Sequence, residues 1–397
     1  MKFALVSSVL PPGDSSHAAV IHRLLRDLDP ESYCLITSGT DGRSSEAGRL
    51  RGAHYYLPPA PRLTRGYRMG LRLWRERVNF GVGVLARARA IGRILRRERC
   101  DAVVACTGGL EVLDFPSAYL ASRRTGARFY AYLLDQYGHM VTTVLGKHIF
   151  AHLEPRLVKG AAAVIVPNEL QRDDMRRRYG IDVSVIHNPC DLAEYGGPAK
   201  ADADDSAIAR ADERRIVYTG SIGPLHYEPF RTLLTAMARL DRSLTLHLYT
   251  GQARARLESE GIRGPVVFHP PQPLSAMAAL QQRADLLFLP LALRSKHADI
   301  VRTAAPGKMS EYLAAGRPIL VHAPPDSFLA RYFREHQCGV VVDRRDPAEL
   351  AAAIESVLTD PALRGRLRAR AWQRAEADFA IEQARRQFAR LIGLESS

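Results

Sequence analysis

A lysine and a glutamate near the start of a short predicted helix could bind a phosphorylated ligand. A turn at Pro306 and Gly307 leads into this helix, which carries Lys308 in its first turn and Glu311 one turn later. Free backbone N–H groups and the dipole at a helix N-terminus favour an anion there, and the Lys308 ammonium would add positive charge. The Glu311 carboxylate could accept hydrogen bonds from a diol such as ribose. The alternative interpretation is a solvated lysine and glutamate with no ligand.

The stretch Lys308–Leu320, KMSEYLAAGRPIL, resembles the nucleotide-sugar site of the retaining GT-B glycosyltransferases of family 4, the glycosyl transferases group 1 type. In that family a helix glutamate holds the ribose of the donor, and amides of the preceding loop hold its diphosphate. By this resemblance Glu311 is the second glutamate of the family's E-x7-E pattern, and Thr303 stands where the first would be. Many members share the Lys-x-x-Glu-Tyr-Leu variant seen here, so the resemblance implies the GT-B fold.

A second candidate phosphate contact is the turn after the predicted strand Arg215–Thr219. Its two glycines would let the backbone approach a diphosphate closely, and a plain tight turn is the alternative. The resembling family places this turn beside the donor phosphates, but the family's usual Arg and Lys have no match here. Arg302 and Lys308 would then neutralise the diphosphate. The predicted donor-binding residues are Gly220, Ser221, Gly223, Arg302, Thr303, Gly307, Lys308 and Glu311.

Polar residues that follow strands in the first half of the chain are candidates for the acceptor side. Asp135 and His139 follow the fifth predicted strand, where members of the resembling family keep a His or Asp facing the donor sugar. By that resemblance either could orient a sugar hydroxyl or help to deprotonate the acceptor, and a helix-capping Asp is the alternative. Ser16 and His17 lie in the first βα loop, where a helix N-cap is the alternative to an acceptor contact. Gly108 follows the fourth strand and could border the acceptor.

No pattern in the sequence predicts a metal or a dinucleotide cofactor. There is no His-x3-His and no closely paired cysteine, and the acidic runs Asp173-Asp174 and Asp202–Asp205 are typical of solvated charge. The G-x-G-x-x-G pattern of dinucleotide sites is absent from the first βα turn. The resemblance implies a metal-independent enzyme, with the nucleotide sugar as substrate and no cofactor, because amides, helix dipole and lysine neutralise the leaving diphosphate.

The elements that must position these residues alternate between apolar strands and helices. Near-continuous apolar strands separated by helices indicate parallel sheets covered on both faces. We therefore expect an α/β protein of two Rossmann-like, doubly wound domains facing across a cleft, which is the GT-B fold. With the roles that the resemblance implies, the expected parts are an acceptor-side domain (1–191), a linker (192–213), a nucleotide-sugar-binding domain (214–377) and a C-terminal helix (about 378–397) that, as in the resembling family, crosses back to the first domain.

Composition places the chain among ordinary globular proteins. It has 397 residues, of which 46% are hydrophobic and 25% charged, enough for two domains with their own cores. The N-terminal MKFALV reads as a first strand rather than a signal peptide, and no apolar run is long enough to span a membrane. Five widely spaced cysteines predict reduced thiols in a cytoplasmic protein.

One segment carries most of the net charge of +14. Twelve arginines and two glutamates lie between Arg62 and Arg99, with apolar residues at helical spacing that include Trp74, Ile91 and Leu95. A basic amphipathic stretch suits an anionic membrane surface, and a solvated arginine-rich helix is the alternative. Nucleic acid is not expected as a partner, because no DNA- or RNA-binding module accompanies the arginines.

The resemblance leads to a functional hypothesis. It implies a glycosyltransferase that moves a sugar from a nucleotide-sugar donor to a hydroxyl of a glycan or lipid-linked acceptor, with retention. Cell-envelope or exopolysaccharide biosynthesis, in the cytoplasm or on the inner face of the membrane, would be its setting. Two alternatives stay open at this point: a nucleotide-sugar 2-epimerase of the same fold, and a catalytically silent GT-B subunit that binds or scaffolds. The second is motivated by Thr303 and by the unusual turn after residue 219.

Overall fold

The computed structural model of the protein describes residues 1–11, 15–39, 49–61, 72–108, 112–135, 144–197, 214–240 and 243–394, with the side chains of 72–73, 144–151 and 274 left aside. The chain divides into two compact units. Unit 1 comprises Met1–His187 together with Glu382–Ser397, and unit 2 comprises Asn188–Ile381. Each is an α/β unit built on a parallel sheet, as the sequence predicted.

Unit 1 contains a seven-stranded parallel sheet in the order β3-β2-β1-β4-β5-β6-β7. The apolar run of β1 is buried on both faces, and β1 pairs with β2 on one side and β4 on the other. The chain therefore reverses its direction of winding between β1 and β4, where α/β sheets commonly bind ligands. The strands are β1 Phe3–Val6, β2 Tyr33–Thr37, β3 Ala53–Tyr56, β4 Ala102–Thr107, β5 Arg128–Leu133, β6 Ala163–Val166 and β7 Ser184–Val185.

Helices with local capping signals cover this sheet. The Ser15 hydroxyl accepts a hydrogen bond from Ala18 N at the start of the first helix. Asn168 caps the fifth helix in the same way, and Gly180 ends that helix in the left-handed conformation that glycine favours. The helices are α1 Ser16–Leu25, α2 Arg72–Arg97, α3 Asp114–Thr125, α4 Val144–Lys159 and α5 Glu169–Tyr179.

Unit 2 contains a six-stranded parallel sheet in the order β10-β9-β8-β11-β12-β13. Its first strand is again internal, so winding reverses between β8 and β11. The strands are β8 Arg214–Thr219, β9 Leu244–Tyr249, β10 Val266–His269, β11 Leu286–Pro290, β12 Ile319–His322 and β13 Val340–Val342. The helices are α6 Pro224–Met237, α7 Arg254–Ser259, α8 Leu274–Gln282, α9 Ala298–Thr303, α10 Lys308–Ala314, α11 Phe328–His336, α12 Pro347–Thr359 and α13 Pro361–Phe379.

The last helix, α14 (Ile381–Ile392), completes unit 1, which confirms that the chain crosses back to its first domain. The Phe388 ring lies 6.0 Å from the ring of Phe3 and 6.3 Å from that of Tyr132, centroid to centroid. The Tyr130 hydroxyl donates to the carbonyl of Ile392 at 3.3 Å. The core of unit 1 therefore joins β1, β5 and the C-terminal helix.

Part of the predicted linker is ordered structure of unit 2. Residues Leu192–Tyr195 form a 3-10 turn, and Tyr195 is buried with 1% of its surface exposed. Tyr195 is hydrogen-bonded to α8 through both its hydroxyl and its carbonyl. The segment therefore docks on unit 2 rather than spanning freely, and residues 198–213 lie outside the described part of the chain.

Two further sequence expectations concern cysteines and membrane helices. All five cysteines are free thiols, four of them buried. Within the residues that the structure describes, no helix is both long and apolar enough to cross a membrane.

Candidate functional site

The turn after β8 brings the backbone of unit 2 against the Lys308 side chain. Gly220 has a φ of +113°, in the region that disfavours side chains. A Cβ atom placed there would lie only 3.2 Å from Lys308 Cε. Glycine at 220 is therefore required both for the turn and for the close approach of Lys308. Ser221 is exposed and Gly223 half-buried in the same turn.

Lys308 is anchored to this turn by a tyrosine. Its ammonium donates to Tyr218 Oη at 3.0 Å and lies 4.5 Å from the Tyr218 ring centroid. The Tyr218 hydroxyl in turn donates to the carbonyl of Ser221 at 2.6 Å. Burial lowers the pKa of the Lys308 ammonium, whereas Tyr312 and Glu311 act in the opposite direction. The positive charge is thus held at the turn by defined contacts.

The turn itself supplies no second cation. His226 lies in the first turn of α6, where its Nδ1 accepts a hydrogen bond from Gly223 N at 3.1 Å. Burial, with a smaller contribution from the Lys308 charge, lowers the pKa of His226 to about 3. His226 is therefore neutral at ordinary pH and acts as a backbone acceptor. Arg302, the other predicted phosphate ligand, is half-buried on α9.

Glu311 is held from behind by a buried amide. Glu311 is 8% exposed, and its Oε2 accepts a hydrogen bond from Gln281 Nε2 at 3.1 Å. The same Gln281 nitrogen lies 3.2 Å from Thr219 Oγ1, directly before Gly220. The Tyr312 hydroxyl accepts from Thr219 N at 3.0 Å. The carboxylate and the glycine turn are therefore parts of one hydrogen-bonded group.

Helix α10 is short, as the sequence predicted. It has seven residues, begins after Gly307, and already uses Met309 N in a hydrogen bond to Pro306 O at 2.9 Å. Helix dipole effects weaken in so short an element, so Lys308 is the stronger source of positive potential. The loop before α10 is fixed by Asn188, whose Nδ2 donates to Ala305 O at 2.9 Å.

Thr303 is turned toward its own helix. It is 5% exposed, and its hydroxyl donates to the carbonyl of Asp299 at 3.0 Å, one helical turn earlier on α9. The position at which the resembling family has its first glutamate is therefore occupied by a nearly buried hydroxyl.

In unit 1 the structure brings together three of the residues predicted for the acceptor side. His17 Nε2 lies 3.3 Å from Asp135 Oδ2. Gly108 has a φ of +152°, and a Cβ there would lie 3.0 Å from His17 Nδ1. Ser8 Oγ donates to the carbonyl of Gly108 at 2.6 Å. His17, Gly108 and Asp135 follow β1, β4 and β5, so they lie around the point where winding reverses.

The other first-half candidates are placed differently. Ser16 is exposed at the first position of α1, and Ser15 provides the cap that was the alternative for this loop. The Asp135 carbonyl accepts from Thr107 Oγ1 at 2.6 Å, which fixes the end of β5 beside that of β4. His139 lies outside the described residues.

The sequence did not reveal the residues whose hydrogen bonds support the candidate donor site. Tyr218, Gln281, Asn188 and Tyr195 were not among the candidates. The one available signal was Gln281-Gln282, a polar pair that ends the otherwise mostly apolar helix LSAMAALQQ. Within the described part of the chain, no group of three or more His, Cys, Asp or Glu side chains is placed to hold a metal ion.

Comparisons with solved structures identify the fold. The chain is similar to HepE of Anabaena in complex with UDP-glucose, with a TM-score of 0.71, 13% identity and 100% of both chains covered. It is similar to sucrose-phosphate synthase of Thermosynechococcus elongatus, with a TM-score of 0.70, 17% identity and coverage of 99% of this chain and 98% of that one. A glycosyltransferase of Rickettsia africae gives a TM-score of 0.68 at 12% identity, covering 100% of this chain and 99% of that one.

Comparisons with sequences identify the family. Residues 16–194 match the family model Glycosyltransferase Family 4, and residues 213–360 match the model Glycosyl transferases group 1. A comparison with curated proteins gave no match. Both halves of the chain thus carry matching domains, each on its own parallel sheet. The chain therefore belongs to the group 1, family 4 glycosyltransferases and is a transferase of the GT-B fold.

Proposed function

We propose that this glycosyltransferase transfers a sugar from a nucleoside-diphosphate donor, bound by unit 2, to a hydroxyl of a glycan or lipid-linked acceptor that meets unit 1. The observation that carries the proposal is Lys308 held against the Gly220 turn, with Glu311 fixed one turn further along the same helix. This arrangement offers a cation for a diphosphate and a carboxylate for a ribose. HepE, a structure of the same fold, is described in complex with UDP-glucose.

In the proposed complex the diphosphate lies over the turn of Gly220, Ser221 and Gly223. The Lys308 ammonium compensates its charge, and Arg302, Thr303 and Gly307 border the donor. The Glu311 carboxylate accepts hydrogen bonds from the ribose diol.

Transfer replaces one bond at the anomeric carbon by another. The acceptor oxygen bonds to this carbon while the bond from the carbon to the diphosphate oxygen breaks, and the diphosphate leaves with the electron pair. An oxygen of the diphosphate takes the acceptor proton on the same face of the sugar, which retains the configuration. The role of the protein is positioning and stabilisation of the leaving charge, without a metal.

On the acceptor side, Asp135 orients the acceptor hydroxyl or assists its deprotonation, with His17 beside it at 3.3 Å. His139 is the alternative for this role. Ser16 and Gly108 border the acceptor, and the absence of a side chain at Gly108 leaves room for the His17 ring.

A membrane surface completes the proposal. On the described part of α2, Trp74 is 58% exposed and Leu85 is 38% exposed. The arginines Arg77, Arg89, Arg93 and Arg96 are also exposed on this helix. Apolar side chains among arginines suit contact with anionic lipid headgroups, which would bring a lipid-linked acceptor to unit 1 at the inner face of the membrane. Cell-envelope or exopolysaccharide biosynthesis is the setting that fits such an acceptor.

The test begins with donor binding. Titration calorimetry with UDP, GDP, ADP and dTDP should give one preferred base, and Glu311→Ala should lose about 10-fold or more of that affinity, because a hydrogen bond to a charged group is removed. Glu349→Ala is the matched control, since Glu349 is an exposed first-turn glutamate of α12 in the same unit. Equal affinity of Glu311→Ala and the unsubstituted protein would contradict the donor site.

Product analysis then separates the function from its alternatives. Incubation with the matching nucleotide sugar should give sugar transfer to an added acceptor, with the anomeric configuration of the donor detected by NMR. Conversion of the donor to an epimer without acceptor would indicate the 2-epimerase. Tight nucleotide binding with no turnover would indicate the silent subunit. The buried Thr303 hydroxyl and the neutral His226 beside the turn after β8 are the features that motivate this alternative.

A further inference from the structure

A glutamine with no exposed surface joins four segments of unit 2 behind the donor-side residues. Gln281, at the end of α8, is 0% exposed. Its Nε2 contacts Glu311 Oε2 at 3.1 Å on α10 and Thr219 Oγ1 at 3.2 Å at the end of β8. Its Oε1 accepts from the Tyr195 hydroxyl at 2.8 Å, on the 3-10 turn. One amide therefore connects the segment that enters unit 2 with the helix that carries Glu311.

The chemistry of the partners fixes which way this amide points. An ionised carboxylate only accepts hydrogen bonds, so the NH2 group of Gln281 must face Glu311. The carbonyl oxygen then faces Tyr195, whose hydroxyl donates to it. Tyr195 is itself 1% exposed, and its carbonyl accepts from Gln282 Nε2 at 2.8 Å, which holds the turn on α8. The Glu311 carboxylate thus selects the amide orientation, and Tyr195 holds the amide in place by donating to its oxygen.

The contact also has an energetic consequence for Glu311. A nearly buried carboxylate loses solvation, and a donor at hydrogen-bond distance offsets part of that cost. The Gln281 amide uses one of the four or so lone-pair sites of the carboxylate and so restricts its rotation. A carboxylate with a fixed plane can meet both hydroxyls of a diol, whereas a rotating one loses affinity through the entropy of ordering.

We propose that Gln281 is a positioning residue for donor recognition, which fixes the Glu311 carboxylate in the orientation that binds the ribose diol, and that Tyr195 in turn fixes the Gln281 amide. This inference rests on the proposed role of Glu311. It adds a buried residue that does not touch the donor. This residue nevertheless sets how much more tightly the protein binds a nucleotide with a ribose diol than one without it.

The test compares two ligands that differ only in the diol. For each variant, calorimetry gives the ratio of the Kd of a 2′,3′-dideoxynucleoside diphosphate to that of the ribonucleotide, with the base that binds best among UDP, GDP and ADP. The variants are Glu311→Ala, Gln281→Leu and Tyr195→Phe. Gln171→Leu is the matched control, because Gln171 is a buried glutamine of unit 1 whose Nε2 donates to Leu133 O at 3.2 Å. Tyr195→Phe removes only a hydroxyl and should fold even if Gln281→Leu does not.

We expect the unsubstituted protein and Gln171→Leu to prefer the ribonucleotide by roughly 10- to 100-fold. Glu311→Ala should bring the ratio close to one. Gln281→Leu should lower it several-fold, and Tyr195→Phe should lower it by a smaller factor, while the Kd of the dideoxynucleotide stays almost constant. A purely structural role would change both Kd values together and leave the ratio unaltered.

The outcomes that would overturn the inference differ from those that would overturn the donor site. If Glu311→Ala loses the diol preference while Gln281→Leu and Tyr195→Phe keep it, Gln281 does not position Glu311 and the donor site stands. If the unsubstituted protein shows no diol preference, the ribose role of Glu311 fails and the inference fails with it. An equal loss in Gln171→Leu would show that any lost buried amide has this effect, which also overturns the inference.

Discussion

Lys308 provides a positive charge with a defined environment in the candidate donor site. Lys308 Nζ is held by the ring and hydroxyl of Tyr218, while the nearby His226 is neutral because its pKa is lowered to about 3. Helix α10 is too short for its dipole to replace this charge. Phosphate affinity should therefore follow the presence and the ionisation of Lys308.

Replacing Lys308 by methionine should weaken nucleoside diphosphate binding by about 10- to 100-fold, because a charge-assisted hydrogen bond to phosphate is lost. Calorimetry measures the change. Lys296→Met is the control, since Lys296 is an exposed lysine on the loop after β11. Indistinguishable affinities for the two variants would mean that Lys308 does not contact the phosphates.

The same lysine predicts a pH dependence of binding. Burial lowers the pKa of Lys308 from the ordinary 10.5, and only the protonated ammonium attracts a diphosphate. Nucleoside diphosphate affinity should therefore be highest below the lowered pKa and fall as the pH rises through it, before 10.5 is reached. His226 contributes nothing, because it is neutral well below this range.

Lys308→Arg provides the comparison, since a guanidinium keeps its charge throughout the alkaline range. Its affinity, whatever its absolute value, should stay level where that of the unsubstituted protein falls. A parallel decline in both proteins would assign the pH dependence to another group.

Lys308, Glu311 and Gly220 could be named as candidates from the sequence, because each lies in or beside a turn that the sequence itself signals and that the resembling family uses. Gln281 could not be found in this way. It lies 86 positions from Tyr195 and 30 from Glu311, and its contacts exist only after α8, α10 and the 3-10 turn have packed. Thr303 was assigned by resemblance to the position of the family's first glutamate, and only the structure shows that its hydroxyl donates to the Asp299 carbonyl of its own helix.

Helix α2 has two apolar surfaces with different neighbours. Ile91 and Leu95, whose helical spacing suggested a surface for lipid, are instead buried in the core of unit 1, and Ala88 is buried beside them. The helix has 26 residues, whereas α3, on which it packs, has 12. Gly83 of α2 lies beside Leu113 at the start of α3, so the residues before it extend beyond that neighbour. Trp74 is exposed for this reason, a distinction that periodicity alone cannot make.

The exposed surface of α2 predicts salt-sensitive binding to anionic vesicles. Replacing Arg89 and Arg93 together by glutamine should reduce co-sedimentation with phosphatidylglycerol-containing liposomes by about 10-fold or more, because each arginine near such a surface adds about 1 kcal/mol. The matched control exchanges Arg176 and Arg177 of α5, which are exposed arginines paired with Asp182 and Asp174. Binding that shows no preference for anionic over neutral lipid would remove the membrane from the proposal.

Over the whole chain, the structure divides into two units, and the proposed function places the donor on one and the acceptor on the other. The parallel sheets could be predicted because apolar strands alternate with helices throughout, and the returning helix was predicted from the family resemblance. The segment after His187 could not, because nothing in Leu192–Tyr195 signals that its tyrosine is buried against α8. Its composition resembles a linker, and only the tertiary contact shows otherwise.

This division predicts where a nucleotide protects the backbone. Addition of the preferred nucleoside diphosphate should slow amide hydrogen exchange most in peptides that cover the β8 turn and α10, with a smaller effect in α8. Peptides from α2 and α5 should change little. Mass spectrometry of hydrogen exchange with and without nucleotide measures this protection. Protection concentrated in unit 1 would contradict the proposal that the donor binds to unit 2.

The return of α14 to unit 1 has a consequence for how the protein is made. Phe388 and Ile392 contact Phe3, Tyr132 and Tyr130, residues that leave the ribosome hundreds of positions earlier. During synthesis, domains tend to fold as soon as they are complete, and here the second half is complete first. The apolar surface of unit 1 that α14 covers therefore stays exposed on the nascent chain until this last helix has left the ribosome. In vivo, chaperones would therefore be expected to engage the earliest-made part of this polypeptide for longest.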